Sequence, residues 1–420
     1  MNIRLFFLIA VYKNWAVSTC DVRSAFLQGS PLERDVYVRP PKERRIKGIL
    51  WKMKKRAYGF CDASRGFYLE LSKTLVELGC KQCTLDPALY FWLDSSGHLG
   101  GAALTHVDDV MYGTGTEEFE EKVMKPLKRK FVFGSEEHHE FRYVGLNVKQ
   151  NEGAIVVNQN HYLETLEIPC VTESSDPKKV VNEKNQEIFR GLVGKIGWLG
   201  GLSRPDVAFD NVVLSSKLGK ANQEDMDYAV KVIKRLKVED SKMTFSNLGE
   251  IKDWIIEAYG DAGYKSMPDK LASCGGRAVV IKNRKTKKAC LVSWRSKRLK
   301  RLVTSSTAAE VLAINDAVGE AVYIQAVLGE VFGQVEKKVP IIVHTDSKNL
   351  YKAVRTTALV EDSKLRLDLA ILKESLETGE IEELNLVTSG QMLANSLTKK
   401  GASTKSLMRV IRDGDMEGCS

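Results

Sequence analysis

Apolar and polar positions along this 420-residue chain repeat by two in some stretches and by three to four in others, so strands and helices are expected in alternation. Trp15, Val17, Thr19 and Asp21 fall on one face of a strand, followed by a turn or short helix over 22–28. Over 65–78 the residues Phe67, Leu71, Leu75 and Leu78 keep helical spacing, and Gly79 supplies a stop. Residues 101–113 read as an apolar hairpin, 117–131 as a basic amphipathic helix, and 141–148 and 154–158 as strands. The middle, 169–253, reads as mostly helical, with a polar stretch at 173–185 resembling a linker. A second α/β unit is expected from 254: strands over 254–259, 276–281, 290–294 and 339–344, a long helix from Thr307, and another helix over 364–377. Residues 401–420 carry no usable motif. At the start, the apolar run 5–11 behind Arg4 imitates a secretory leader but is too short to span a bilayer. The preferred reading is a core helix belonging to a domain whose beginning has been cut off.

Composition changes this picture little. Hydrophobic content of 43% and charged content of 28% are those of a globular protein, and the chain is long enough for two or three domains. A net charge of +9 suits a polyanionic partner such as nucleic acid. Eight cysteines scattered through so long a chain do not form a disulfide framework, which fits a reducing compartment. Cys80 and Cys83 have the spacing of half a zinc site, but no second pair follows, and His138-His139 is remote; two interior thiols are the simpler reading.

Two carboxylate groupings bring in chemistry. Asp108 and Asp109 stand side by side in the hairpin Leu104-Thr105-His106-Val107-Asp108-Asp109-Val110. Neighbouring carboxylates repel, and a divalent cation would hold them, although a polar turn explains the pair equally well on its own. In the last unit, Asp261 follows a strand, Glu310 opens the long helix, and Asp346 ends another strand. Each also has an ordinary reading: Asp261 in a turn, Glu310 in a capping box with Thr307 as N-cap, Asp346 as an N-cap. Yet Glu310 shares its helical face with Ile314, Ala317, Ala321, Ile324 and Leu328, which faces the sheet, and a carboxylate there needs partners. Three carboxylates converging on one sheet edge would hold two divalent cations for phosphodiester hydrolysis.

With both groupings in hand, the chain resembles the C-terminal part of the Pol polyprotein of copia-type LTR retrotransposons, reverse transcriptase followed by ribonuclease H. Cys20-Asp21-Val22-Arg23-Ser24-Ala25-Phe26-Leu27-Gln28-Gly29 is similar to the first catalytic motif, and Val36-Tyr37-Val38-Arg39-Pro40-Pro41 to the segment that follows it. Ala57-Tyr58-Gly59-Phe60 through Arg65-Gly66-Phe67-Tyr68 resembles a third block, and His106-Val107-Asp108-Asp109 stands at the Y-V-D-D position. Phe189-Arg190-Gly191-Leu192-Val193-Gly194 and Ser203-Arg204-Pro205-Asp206 match the connecting region. Val292-Ser293-Trp294-Arg295-Ser296-Lys297, Ser305-Ser306-Thr307-Ala308-Ala309-Glu310 and Leu393-Ala394-Asn395-Ser396-Leu397-Thr398-Lys399 match the last unit.

The resemblance implies an α/β (α+β) architecture: a polymerase palm-like domain over 1–168 lacking most of the fingers, a helical thumb or connection over 169–253, a ribonuclease H-like mixed sheet with helices over 254–400, and a tail over 401–420. It implies RNA-directed DNA polymerase and ribonuclease H activities with two Mg²⁺ or Mn²⁺ per site. Asp21, Asp108 and Asp109 would be the polymerase ligands; Asp261, Glu310, Asp346 and, weakly, Asn395 would be the nuclease ligands. Phe26, at the steric-gate position, and Tyr58, Gly59, Arg65 and His106 would contact substrate. Partners would be an RNA template, an RNA–DNA hybrid gripped by basic side chains such as the 297–301 cluster, and dNTPs, with no membrane; the location would be cytoplasmic or nuclear, with virus-like particles if the element is active.

Departures from the pattern weigh against efficient catalysis. Set beside the family's pattern, the segment that would cover the nucleotide's triphosphate is expected to be missing, Asp62 replaces a Gln beside the nucleotide pocket, His106 replaces Tyr, and Asn395 replaces a fourth nuclease carboxylate. The alternative is therefore a catalytically inactive nucleic-acid-binding remnant of a retroelement.

Overall fold

The computed structural model describes residues 2–170, 176–269, 271–333, 338–356, 362–414 and 416. Two compact units emerge, Lys13–Val144 and the pairing of Ile3–Tyr12 with Gly145–Ser420. This division falls after Val144, ahead of the boundary at 168 read from the sequence, and it sends all but the first residue of helix α1 (Asn2–Tyr12) to the larger unit.

In the smaller unit, strands β1 (Ala16–Val22), β4 (Lys81–Gln82), β5 (Leu89–Leu93), β6 (Leu99–His106), β7 (Asp109–Thr114) and β8 (Phe133–His138) make one sheet in the order β4-β5-β6-β7-β1-β8. Every pairing in it is antiparallel. Around it lie α2 (Ala25–Gln28), the small hairpin β2 (Tyr37–Val38) and β3 (Trp51–Lys52), the helix α3 (Ala63–Glu77), and strand β9 (Glu140–Tyr143). Phe67, Leu71 and Leu75 of α3 sink into a core with Val110, Tyr112, Phe119 and Phe131. The single helix expected over 117–131 is divided into α4 (Glu117–Phe119), a wide π turn (Glu120–Met124) and α5 (Lys125–Lys130). Pro126 has no N–H to give to an ordinary helical bond, and the Lys125 N–H reaches back five residues to the Glu120 carbonyl.

In the larger unit, β10 (Leu146–Asn151), β11 (Ala154–Asn158) and β12 (Met243–Ser246) pair antiparallel beside helices α6 (Asn160–Thr165), α7 (Glu183–Leu202), α8 (Ala208–Ser215) and α9 (Gln223–Val238). Strand β12 lies inside the region expected to be helical; only Met243 and Phe245 mark it, both buried, and four residues are too few for a period to show. Of the expected linker, 173–175 lies outside the described residues, while Asn182 already caps α7 through Asn185 N–H.

The last sheet has the order β15-β14-β13-β16-β17, from β13 (Trp254–Gly263), β14 (Cys274–Asn283), β15 (Ala289–Arg298), β16 (Ile341–Thr345) and β17 (Glu383–Leu386). The first three run antiparallel, and β16 and β17 join parallel to β13 and to each other. All of β13 is buried, as a central strand covered on both faces must be. Against the sheet packs α10 (Ser306–Phe332), where Gly260 allows the helix backbone so close that a Cβ would stand 2.8 Å from the Ile314 Cα. By length and composition α10 could cross a membrane, but half of its most apolar stretch is buried within this unit. Helices α11 (Lys348–Arg355), α12 (Ser363–Glu377) and α13 (Lys405–Asp413) complete the unit. Although 401–420 offered no motif, α13 buries Leu407, Val410 and Ile411 and packs on β12 and β15. An α/β architecture with an antiparallel sheet, intervening helices and a mixed sheet matches the expected class.

Candidate active sites

Among the described residues, one group of acidic side chains offers ligand oxygens that all lie within 4.8 Å of one another: Asp261, Glu310 and Asp346. Asp261 sits near the end of β13, Asp346 immediately follows the parallel β16, and Glu310 is the fifth residue of α10. The helix start differs from expectation. Ser305, not Thr307, is the N-cap, its hydroxyl accepting the Ala308 N–H at 3.1 Å, so Glu310 stands too deep in the helix for a capping box. Asp346 is not a cap either: Ser347 caps α11, and an Asp346 oxygen accepts the Ser389 hydroxyl at 2.8 Å. Both carboxylates are thereby left for the site.

The electrostatics fit a cation. Asp261 is 0 % exposed; one of its oxygens accepts the Thr398 hydroxyl, and the other, Oδ1, is buried without a partner. Glu310 Oε2 is likewise buried and unpartnered. Such atoms are costly unless something positive meets them. Burial, then the charges of Asp261 and Asp346, push the Glu310 carboxyl up to about 9, and burial raises Asp261 as well. The donor set is all oxygen, as Mg²⁺ and Mn²⁺ prefer.

Asn395 opens a short 3₁₀ turn (Asn395–Leu397) that lies against the sheet, and Gly263 makes room for it: a Cβ there would stand 2.3 Å from the Thr398 carbonyl. The Asn395 amide oxygen accepts from Lys399 Nζ at 3.1 Å, and the same ammonium is 3.6 Å from Asp261 Oδ2. Thr398, Lys399 and Ser389 are members of the site that sequence reasoning left without roles, though Thr398 and Lys399 ended a motif already singled out.

In the smaller unit, Asp21 lies directly across from Asp109 in the β1–β7 ladder. The β1–β8 register shifts between Cys20 and Val22, so Asp21 sits at a bulge. His106 pairs with Asp109, and Val107 and Asp108 form a two-residue turn in which Val107 takes φ +56°, a strained value for a β-branched residue. Burial and the Asp108 charge raise both Asp21 and Asp109. These three share one end of the sheet but do not close to 4.8 Å.

Of the expected substrate contacts, Phe26 is half-buried against the core, with its ring 4.6 Å from that of Tyr58. Tyr58 is 64 % exposed, Gly59 takes φ +97°, and Arg65 and His106 are exposed. Asp62 is not a bare anion: Arg34 and Arg56 hold it at 3.1 and 3.3 Å, and Gly66 leaves the space that the Arg56 side chain fills. The 297–301 cluster is also less available than its sequence promised, since Lys297 pairs with Asp316, Arg298 with Asp269 and Arg301 with Asp368. Cys80 and Cys83 are both buried, and His138 bonds the Ser18 hydroxyl at 2.7 Å. A cavity of about 1190 Å³ opens at the other end of β16, lined by Val322, Leu328, Ile341 and Leu376, away from these carboxylates.

Residues 1–173 match the family described as reverse transcriptase (RNA-dependent DNA polymerase). The chain is 24% identical over 416 residues to the retrovirus-related Pol polyprotein from transposon RE1 of Arabidopsis thaliana, covering 95% of this chain and 27% of that protein. It is 23% identical over 318 residues to a putative transposon Ty5-1 protein of Saccharomyces cerevisiae, covering 71% of this chain and 99% of that protein. It thus spans about a quarter of the length of the plant relatives it matches. Among solved structures, a foamy viral protease-reverse transcriptase in complex with an RNA/DNA hybrid aligns at TM-score 0.48 and 12% identity, over 90% of this chain and 45% of that one. LC11-RNase H1 aligns at TM-score 0.26 and 16% identity, over 34% of this chain and 92% of that one. The sequence matches bear out the resemblance to copia-like retrotransposon Pol proteins.

Proposed function

Taking the chain as one of retrotransposon Pol type, we propose that it is an RNA-directed DNA polymerase with an attached ribonuclease H, and that the ribonuclease H site is the better preserved of the two. The observation that carries this is the group Asp261, Glu310 and Asp346, with two buried oxygens that have no hydrogen-bond partner among the described residues. Its substrate would be the RNA strand of an RNA–DNA hybrid.

These three carboxylates would hold Mg²⁺ or Mn²⁺, which activates water and stabilises the leaving oxygen of a phosphodiester. The Thr398 hydroxyl fixes the Asp261 rotamer, and the Ser389 hydroxyl orients Asp346. Burial of Asp261 keeps bulk water from competing for its free oxygen. In the smaller unit, Asp21 and Asp109, paired across two strands, and Asp108 in the turn would hold the cations that serve attack of a primer 3′-oxygen on a dNTP.

One observation favours the alternative of a binding remnant without catalysis: the amide of Asn395 lacks the charge of a strong ligand and is engaged with Lys399. Primer extension on an RNA template, lost in Asp109→Asn, tests the polymerase half. Hybrid cleavage, lost in Asp346→Asn, tests the nuclease half.

A further inference from the structure

Lys399 has no part in the cleavage described above, yet its ammonium stands beside the carboxylate group, next to Asp261. It touches the Asn395 amide oxygen at 3.1 Å and lies 3.6 Å from Asp261 Oδ2, while its stem stays 46 % exposed. With all three carboxylates ionised around a metal, they and one ammonium leave two negative charges, which a single divalent cation balances. A second cation on the Asn395 side would have to displace the ammonium, and would receive a neutral amide as its ligand. The buried oxygens without partners, Asp261 Oδ1 and Glu310 Oε2, belong to other atoms than the one Lys399 approaches.

We propose that Lys399 is a built-in cation that takes the place of one of two metal ions, making this a one-metal site. The inference rests on the metal-centre reading of Asp261, Glu310 and Asp346. Lys399 is then a positioning residue: it compensates Asp261 and holds the Asn395 amide. The first metal is left to Asp346 and to the buried oxygens Asp261 Oδ1 and Glu310 Oε2.

The experiment counts bound Mn²⁺ by electron paramagnetic resonance in the full chain carrying Asp108→Asn and Asp109→Asn, which removes the other aspartate site from the count. One Mn²⁺ is expected, lost on adding Asp346→Asn. Lys399→Met should tighten that ion roughly tenfold by removing a nearby positive charge, and Asn395→Asp together with Lys399→Met should bind two. Because Lys399 is half exposed, both it and the milder Lys399→Gln should fold, which circular dichroism checks. Two Mn²⁺ with Lys399 in place, both lost with Asp346→Asn, would overturn the proposal and leave the metal centre standing. Binding indifferent to Asp346→Asn would overturn the metal centre and the proposal together.

Discussion

The guanidinium of Arg4 lies 3.6 Å from the centre of the Trp294 ring, so a residue near the start of the chain stacks on a strand of the last sheet. The same guanidinium donates to the carbonyls of Gly201 and Leu202, at 2.6 and 2.8 Å, and Trp294 Nε1 donates to Gly200 at 2.7 Å. Leu199 accepts the Ser203 and Arg204 N–H groups. All four carbonyls that helix geometry orphans at the end of α7 are thus satisfied.

Arg4→Ala takes the donor from two of those part-buried carbonyls and removes the cation–π contact, which should cost about 1–3 kcal/mol. The urea midpoint of the larger unit reads this directly. Lysine should rescue little, because it lacks the planar fork. A loss below about 0.5 kcal/mol, the range of neutral surface changes, would contradict the account. For the same reason a fragment beginning at Lys252 should be markedly less stable than the full chain, as it lacks both Arg4 and the helix end that Arg4 caps.

Val107 should be a source of strain. Replacing it with glycine, at home at φ +56°, should raise stability by about 1 kcal/mol despite the added backbone freedom of the unfolded chain. An unchanged or lower melting temperature would show that the turn tolerates valine.

Glu310 predicts a pH dependence in metal-free buffer. Its carboxyl is raised in the folded protein to about 9 from 4.5, so folding favours the protonated form. The stability it contributes is fully present below pH 4.5 and is lost as pH rises through 9, with a slope of at most about 1.4 kcal/mol per pH unit. Glu310→Gln should flatten that slope, and saturating Mn²⁺ should reverse the loss at high pH. A slope unaffected by either would mean that Glu310 does not feel its neighbours as described.

At Asp62, substitution by glutamine would release Arg34 and Arg56 from their shared carboxylate and leave two positive charges near Tyr58 and Phe26. Binding of a fluorescent nucleoside triphosphate should tighten severalfold. Weaker binding would place the nucleotide elsewhere.

Much of this molecule could be read from periodicity. The strand–turn–strand of 101–113, the long helix from 306 and the three antiparallel strands of the last sheet carry enough repeats for the pattern to declare itself. The carboxylate group could also be foreseen, because Glu310 breaks an apolar face. What escaped was tertiary or local. Ser305 and Thr307 are equally good caps by type, and only the path of the chain decides between them. The apolar run of α1 announced burial without saying where, since its affiliation rests on contacts far along the chain: Arg4 on Trp294, Phe7 on Phe245 and Tyr12 on Trp254. The motif containing Asn395 showed a missing charge but not that Lys399 reaches back over one turn to engage it. Asp62 looked like a bare anion because Arg34 lies 28 residues away in sequence.

The most direct test of the central claim is cleavage of the labelled RNA strand in an RNA–DNA hybrid by the purified chain, with Mg²⁺, Mn²⁺ or chelator. Metal-dependent cleavage that disappears in Asp346→Asn is the result this account predicts. A folded protein that binds the hybrid and cleaves nothing with either metal would contradict it.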